Sequence, residues 1–201
     1  HYTRDGSEPT ATSPLYEKIV PVKEALTLKG ATFAYGRQMG KTLILPVRWN
    51  LATAKPVLGT NPTEKLLTNG IRGSLKYSDF EWCSWADNDS VSFTIDLLKP
   101  EMLNTLTLGC ITNNGMAIHK PASVRVEVSD DNSKFREAVV QSFTSEEIFR
   151  EGNFIENLSL KLGGTQARYV RVTAKGPGVC PASHVRPGQT SRIFFDEVML
   201  E

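Results

Sequence analysis

The stretch Val91-Ser92-Phe93-Thr94-Ile95-Asp96-Leu97 decides the fold class. Every odd position in it is apolar and every even position is polar. Successive side chains of a strand point to opposite faces of the sheet, so this stretch buries one face and exposes the other to water. The pattern is typical of antiparallel sheets in a β-sandwich or barrel.

The same alternation recurs further along the chain, with turn-forming stretches such as Asn113-Asn114-Gly115 and Gly163-Gly164 between the runs. Helix candidates are short, at 63–67 and 145–149. We therefore predict an all-β chain whose larger part, from about residue 45, is an eight-stranded antiparallel sandwich. The apolar positions of the further runs are Leu106, Leu108 and Cys110; Val124, Val126 and Val128; Leu158, Leu160 and Leu162; and Val170 and Val172.

Composition excludes several classes of partner. The chain has 201 residues, of which 40% are hydrophobic, so a substantial core can be buried. Its 23 basic and 22 acidic residues leave a net charge of +1, which argues against a nucleic-acid partner. No apolar run approaches the ~20 residues of a membrane helix, so no membrane insertion is expected. No signal peptide opens the sequence, and we expect a piece of a longer protein.

The three cysteines, Cys83, Cys110 and Cys180, are too few and too scattered to form a disulfide framework. At most one disulfide can form within the chain. No pair has C-x-x-C spacing, which argues against a zinc site. We expect free thiols that are mostly buried.

The opening string, Tyr2-Thr3-Arg4-Asp5-Gly6-Ser7-Glu8-Pro9-Thr10, resembles the immunoglobulin-like segment that follows the catalytic barrel in bacterial chitobiases and β-hexosaminidases. In that family, further strands precede the string. The resemblance implies that residues 1–44 form a partial immunoglobulin-like β segment.

The remainder, residues 45–201, resembles the discoidin-like (coagulation-factor type C) modules, and among them the family 32 carbohydrate-binding modules. The resemblance implies an antiparallel β-sandwich attached to a family 20 glycoside hydrolase that is secreted, periplasmic or displayed on a bacterial surface. That subgroup often has a tryptophan where Arg192 stands, so no sugar stacking is expected there. The stretches that carry the resemblance are 50–57, 67–74, Trp82, 121–131, 167–172 and 195–198.

The resemblance also implies a structural calcium ion at the turn of residues 68–74. Calcium takes six to eight oxygen ligands, and a turn offers several carbonyls. The alternative is a metal-free turn in which Asn69 adopts a left-handed conformation before Gly70. The implied ligands are Asn69 and Ser74 through side-chain oxygens, Lys65 and Arg72 through carbonyls, and Glu197 through its carboxylate.

Four residues are candidates for sugar contact. An exposed tryptophan face packs on sugar C–H groups, so Trp82 is a candidate platform, although it could instead anchor the end of the sandwich. Asn113 and His119 can hydrogen-bond hydroxyl groups, although turn chemistry and strand capping explain them equally. Arg186 lies in the Pro- and Gly-rich stretch 176–191, which could also be a flexible surface loop.

The pair Asp196-Glu197 resembles the Asp-Glu pair of family 20 active sites, but the usual His-x-Gly-Gly context is missing. Neighbours on a strand point to opposite faces, so the two carboxylates should not converge on a glycosidic bond. We predict no catalytic residues. Glu197 should face a metal, and Asp196 should face solvent or a loop.

The function predicted from the sequence is a non-catalytic module that binds galactose or N-acetylated amino sugars weakly and tethers an enzyme to glycans. Its partners are then a glycan and the catalytic domain of the same polypeptide. One alternative is a structural spacer that packs on that catalytic domain. Another is a discoidin-type protein or phospholipid binder, but the apolar loop tips that such modules use are not evident in the sequence.

Overall fold

A computed structural model describes residues 1–85 and 90–201 of the chain. It divides into two compact units, His1–Trp49 and Asn50–Glu201. The first unit extends past residue 44 because its last strand continues to Val47. About half of the residues lie in strands. Within the described ranges, no helix is long and apolar enough to cross a membrane.

The first unit is an antiparallel sheet of three strands in the order β1-β2-β3. The connection between the two long strands is the dipeptide Tyr35-Gly36, in which both residues have positive φ (50° and 73°). Such a two-residue turn matches the twist of a hairpin. The strands are β1 Tyr2–Thr3, β2 Leu26–Ala34 and β3 Arg37–Val47.

The second unit contains seven described strands that pair antiparallel in the order β5-β10-β6-β9-β7-β8, with β4 beside β6. Its helices are short: two 3₁₀-helices, Glu64–Thr68 and Asn114–Met116, and α1 Ser145–Ile148. The strands are β4 Val57–Leu58, β5 Cys83–Trp85, β6 Ser90–Asn113, β7 Ser123–Ser129, β8 Arg136–Ser142, β9 Asn153–Lys175 and β10 Ile193–Leu200.

The prediction of an all-β antiparallel sandwich is confirmed, and the described part of this unit has seven strands where eight were expected. The runs around residues 91–97 and 106–110 belong to one long strand, β6, and those around 158–162 and 170–172 belong to β9. The β6–β9 pairing shifts register between Asp96 and Glu101 and again between Leu103 and Thr105. Such irregularities bend a strand pair, so one continuous pair can fold over the core where the sequence suggests separate strands.

The core contains the apolar positions of the alternating runs, including Phe93, Ile95 and Val172. Trp85 is buried there, with its ring stacked on Phe93 at 6.1 Å between centroids. All three cysteines are free and buried, as expected. Burial raises the pKa of the Cys83 thiol to about 12, so this thiol is inert at neutral pH.

Candidate functional site

Two carboxylates of β10 hold the turn of residues 69–74. Asp196 accepts hydrogen bonds from Arg72 Nε (2.6 Å) and from the Gly73 amide (3.0 Å). Glu197 Oε2 accepts a hydrogen bond from the Gly70 amide (3.0 Å). Both acidic residues are fully buried. Hydrogen bonds therefore fix the turn to the sheet at Gly70, Arg72 and Gly73.

Asp196 and Glu197 both reach the same turn, although neighbours on a regular strand point to opposite faces. The pairing of β10 with β6 shifts register between Phe195 and Val198, which is a bulge at the acidic pair. A bulge places two residues opposite one and redirects their side chains. Asp196 faces the turn and not solvent.

Among the predicted calcium ligands, Glu197 is the one whose buried carboxylate is not fully hydrogen-bonded. Among the described residues, its Oε1 is buried and has no hydrogen-bond partner. Burial, with the nearby charge of Asp196, raises the pKa of this carboxyl to about 9. A buried carboxyl of this kind stays neutral at pH 7 unless a cation compensates its charge, so the position fits a hard cation.

The other predicted calcium ligands have partners of their own. Asn69 has φ −81°, so the left-handed alternative for it is wrong, and Gly70 takes the positive φ (79°) instead. The Asn69 Oδ1 accepts from the Ile71 amide (2.8 Å), and the Ser74 Oγ accepts from the Lys76 amide (3.2 Å). The Arg72 guanidinium is committed to Asp196, which leaves its carbonyl, like that of Lys65, as the group that could bind a cation.

Trp82 cannot be the sugar platform, because its side chain is buried, with 5% of its surface exposed. Its indole lies against Gly73, where a Cβ atom would be 2.6 Å from Nε1 of the ring. It belongs to a small apolar cluster with Ile111, Ile118 and Phe194, which we call the end cluster. Trp82 therefore anchors the end of the sandwich, the alternative that the sequence left open.

His119 is also wrong as a sugar contact, because it is fully buried. Its ring lies 5.0 Å from that of Phe149 and 4.9 Å from that of His184, between centroids. Burial, and then the proximity of His184, lowers the pKa of His119 to about 4, so the ring is neutral at physiological pH. A neutral enclosed imidazole cannot reach a ligand on the surface.

Asn113 and Arg186 remain accessible, and the structure brings their loops together. Asn113 is half-buried and closes a turn by exchanging backbone hydrogen bonds with Ile118 (2.8 and 3.1 Å). Arg186 is exposed, and its Nε donates to the Gly115 carbonyl. The loop that carries Arg186 is itself tied by backbone bonds, including Cys180 N to Gln189 O (2.9 Å).

The sequence analysis missed Phe80, which lies in the loop between Gly73 and Trp82. This side chain is 88% exposed and its backbone has φ 71°, a conformation that bulky residues rarely adopt. The neighbouring Tyr77 and the Met116 side chain of the Asn113 loop both pack on the end cluster. The loops of Phe80 and Asn113 thus share one support. An aromatic residue within a polar stretch was the signal available in the sequence.

A family model for the F5/8 type C domain matches residues 52–185, most of the chain. The chain belongs to the F5/8 type C family. A second model, for the C-terminal domain of chitobiases and β-hexosaminidases, matches residues 1–43. Both resemblances drawn from the sequence are thereby confirmed. The matched domains are non-catalytic, in agreement with the prediction that this chain is not an enzyme.

Three solved structures are similar to the chain at 16–18% identity. The chitosan-binding module 1 of a chitosanase/glucanase from Paenibacillus sp. IK-5 is 16% identical, with a TM-score of 0.50 over 77% of this chain and 99% of that one. CpGH89CBM32-6 from Clostridium perfringens is 18% identical, with a TM-score of 0.49 over 76% and 98%. The C-terminal domain of a Bacteroides fragilis chitobiase is 16% identical, with a TM-score of 0.41 over 68% and 78%. None of the curated proteins matches the chain.

Proposed function

We propose that this F5/8 type C chain is a non-catalytic carbohydrate-binding module that tethers a secreted or surface-displayed glycoside hydrolase to glycans. The observation that carries the proposal is the family match combined with an exposed aromatic side chain, Phe80, in a loop that packs on the same end cluster as the Asn113 loop. Among the similar structures, one is named a chitosan-binding module and another is a lectin domain complexed with the Lewis b antigen. The match of residues 1–43 supports a chitobiase-like parent enzyme.

In this proposal, Phe80 replaces Trp82 as the platform for the sugar. An aromatic face packs on the C–H groups of a pyranose and excludes water from them. Asn113 and Arg186 supply donors and an acceptor for hydroxyl groups. The ligand class is galactose or an N-acetylated amino sugar. A shallow site for one or two rings leaves little free energy after rigid-body freedom is lost, so Kd should be ~0.1–1 mM.

Phe80→Ala should abolish detectable sugar binding and leave the melting temperature unchanged, because the ring contributes nothing to the core. NMR titration with galactose and N-acetylglucosamine measures the affinity. Leu98→Ala is the matched control, since Leu98 is also exposed, also apolar and also has φ 71°. Equal affinity in wild type and Phe80→Ala would remove Phe80 from the site, and an absence of shifts with any sugar would reject the function.

A protein-binding or spacer role is the second candidate, and one observation favours it. Contrary to the expectation from the sequence, the loops do carry exposed apolar side chains: Leu75, Phe80, Val179 and Val185. Discoidin-type modules that bind proteins or lipids use such tips. If the chain binds no sugar on a glycan array but does bind the parent catalytic domain, the protein-binding or spacer role is correct and sugar binding is rejected.

We further propose a structural calcium ion at the turn of residues 69–74, bound by Glu197 and by oxygens of Lys65, Asn69, Arg72 and Ser74. The unpartnered Glu197 Oε1 supports it, because a cation would satisfy that atom and compensate its buried charge. The ion would stiffen the turn that leads into the Phe80 loop. Its role is structural, and no chemistry passes through it.

Glu197→Gln should reduce the calcium dependence of thermal stability. In the wild type, calcium at a hundredfold excess over Kd should add about 2.7 kcal/mol to the free energy of unfolding, which a chelator removes. Differential scanning calorimetry with calcium or chelator measures both. Glu156→Gln is the control, because Glu156 also has an unpartnered buried oxygen but its carboxylate pairs with Lys120 and not with the turn. A melting temperature insensitive to calcium in the wild type would eliminate the site.

A further inference from the structure

Three side chains with metal-binding atoms meet at the Arg186 loop, and none of them is a contact residue of the proposed sugar or calcium site. They are His119, Cys180 and His184, whose ligand atoms lie within 4.8 Å of one another. All three are buried, with exposed fractions of 0%, 3% and 8%. We call them the His-Cys cluster.

Backbone hydrogen bonds fix where each member of the His-Cys cluster stands. The His119 amide donates to the Arg192 carbonyl (3.1 Å), next to a parallel bridge between Ile118 and Arg192. The Cys180 amide donates to Gln189 O (2.9 Å), and the His184 amide donates to Pro181 O (3.0 Å). The cluster is thus assembled by the fold before any ligand arrives, and this lowers the entropic cost of binding.

The ring nitrogens of the cluster lack the partners that buried polar atoms normally have. Within the described part of the chain, Nε2 of His184 has no hydrogen-bond partner, and neither ring nitrogen of His119 makes a hydrogen bond of good geometry, although the Ile148 carbonyl acts on the His119 ring. Poorly satisfied ring nitrogens beside one thiol are not explained by packing, because apolar side chains would fill the same space without the desolvation cost. A bound cation would satisfy them.

The donor set selects the kind of cation. Imidazole nitrogen and thiolate sulfur are the ligands of zinc, whereas calcium and magnesium require oxygen. We propose that His119, Cys180 and His184 bind a zinc ion and fasten the Arg186 loop to the chain segment before β7. Zinc is four-coordinate, so one position remains for water or for the Ser191 hydroxyl, whose oxygen is 3.3 Å from the Cys180 sulfur.

Binding moves two protons in this arrangement. The Cys180 thiol loses its proton to solvent as the thiolate forms. The Arg186 amide donates to His184 Nδ1 (3.0 Å), so Nδ1 is the acceptor of the metal-free ring and Nε2 carries the ring proton. A zinc ion on Nε2 requires that proton to shift to Nδ1, which breaks this hydrogen bond. Occupancy of the site therefore changes the backbone at Arg186, a residue of the proposed sugar surface.

The test is metal titration of the whole chain after treatment with chelator. Zinc should bind with one ion per chain, and cobalt should produce a thiolate-to-metal charge-transfer band. Cys180→Ser should remove that band, and Cys180→Ser and His184→Ala should each weaken zinc binding by more than about 100-fold, above the 10- to 100-fold that outer-shell partners contribute. Cys83→Ala is the control, because Cys83 is an equally buried free thiol outside the cluster.

The wild-type cobalt spectrum keeps the test decisive even if a variant fails to fold. No zinc binding by the wild type, or zinc binding that survives Cys180→Ser through another group such as His1, would overturn the proposal. Glu197→Gln should bind zinc normally, so failure of the zinc site and failure of the calcium site are distinguishable. Sugar affinity measured with and without zinc reports the coupling to Arg186 separately.

Discussion

Asp196→Ala should lower the free energy of unfolding by about 3–5 kcal/mol, the cost of breaking a buried ion pair by removing one partner. The carboxylate is fully buried and accepts from Arg72 Nε, from the Gly73 amide and from the Glu197 amide (2.7 Å). Burial raises the pKa of Asp196, and Arg72 opposes that shift. The ion pair therefore stabilises the fold little more than apolar packing would, and the loss in the variant comes from leaving Arg72 Nε and two amides without an acceptor.

Urea unfolding of Asp196→Ala measures this loss, and Asp96→Ala is its matched control. Asp96 also pairs with an arginine, Arg168, through two hydrogen bonds of 2.8 and 2.9 Å, but that pair is more exposed to solvent. Exposed pairs contribute about 0–1 kcal/mol. If both variants lose the same free energy of unfolding, burial does not determine how much the Asp196–Arg72 pair stabilises the fold.

The strands could be predicted from the sequence because burial of one sheet face imposes a period of two. At Phe93 and Ile95 this pattern is visible in the local sequence alone, without knowledge of tertiary contacts. The joining of runs into β6 and β9 could not be predicted, because a bend within a strand and a turn between strands leave similar gaps in the alternation. The bulge at Asp196 and Glu197 was hidden for a related reason, since it depends on pairing with β6.

The site residues were harder to predict, because tertiary contacts decide which side chains reach the surface. Trp82 and Phe80 stand two residues apart in one polar stretch, and either could be the exposed ring. Gly73 decides between them, since its missing side chain leaves room for the Trp82 indole. The spacing of the three cysteines does not predict the His-Cys cluster, because only one of its members is a cysteine. Cys180 and His184 share a loop, but His119 joins them only through the fold.

Gly109→Ala should destabilise the chain by about 1–3 kcal/mol, the usual cost of overpacking. A Cβ atom at Gly109 would overlap Asp196 Oδ1 and lie 2.5 Å from Arg72 Nη2. It would push apart the two groups that hold the turn to β10. Gly115→Ala is the control, because the nearest atom to its Cβ is 3.5 Å away.

A double-mutant cycle with Asp196→Ala shows whether the Gly109 effect acts through the ion pair. Removing the carboxylate empties the space that the new methyl group would enter, so Gly109→Ala should cost less in the Asp196→Ala background. Residues in contact typically couple by about 0.5–3 kcal/mol. If the two losses in free energy of unfolding are additive, the new methyl group does not clash with the Asp196 carboxylate. Coupling would mean that Gly109 leaves room for the Asp196–Arg72 pair, and through it for the turn before the Phe80 loop.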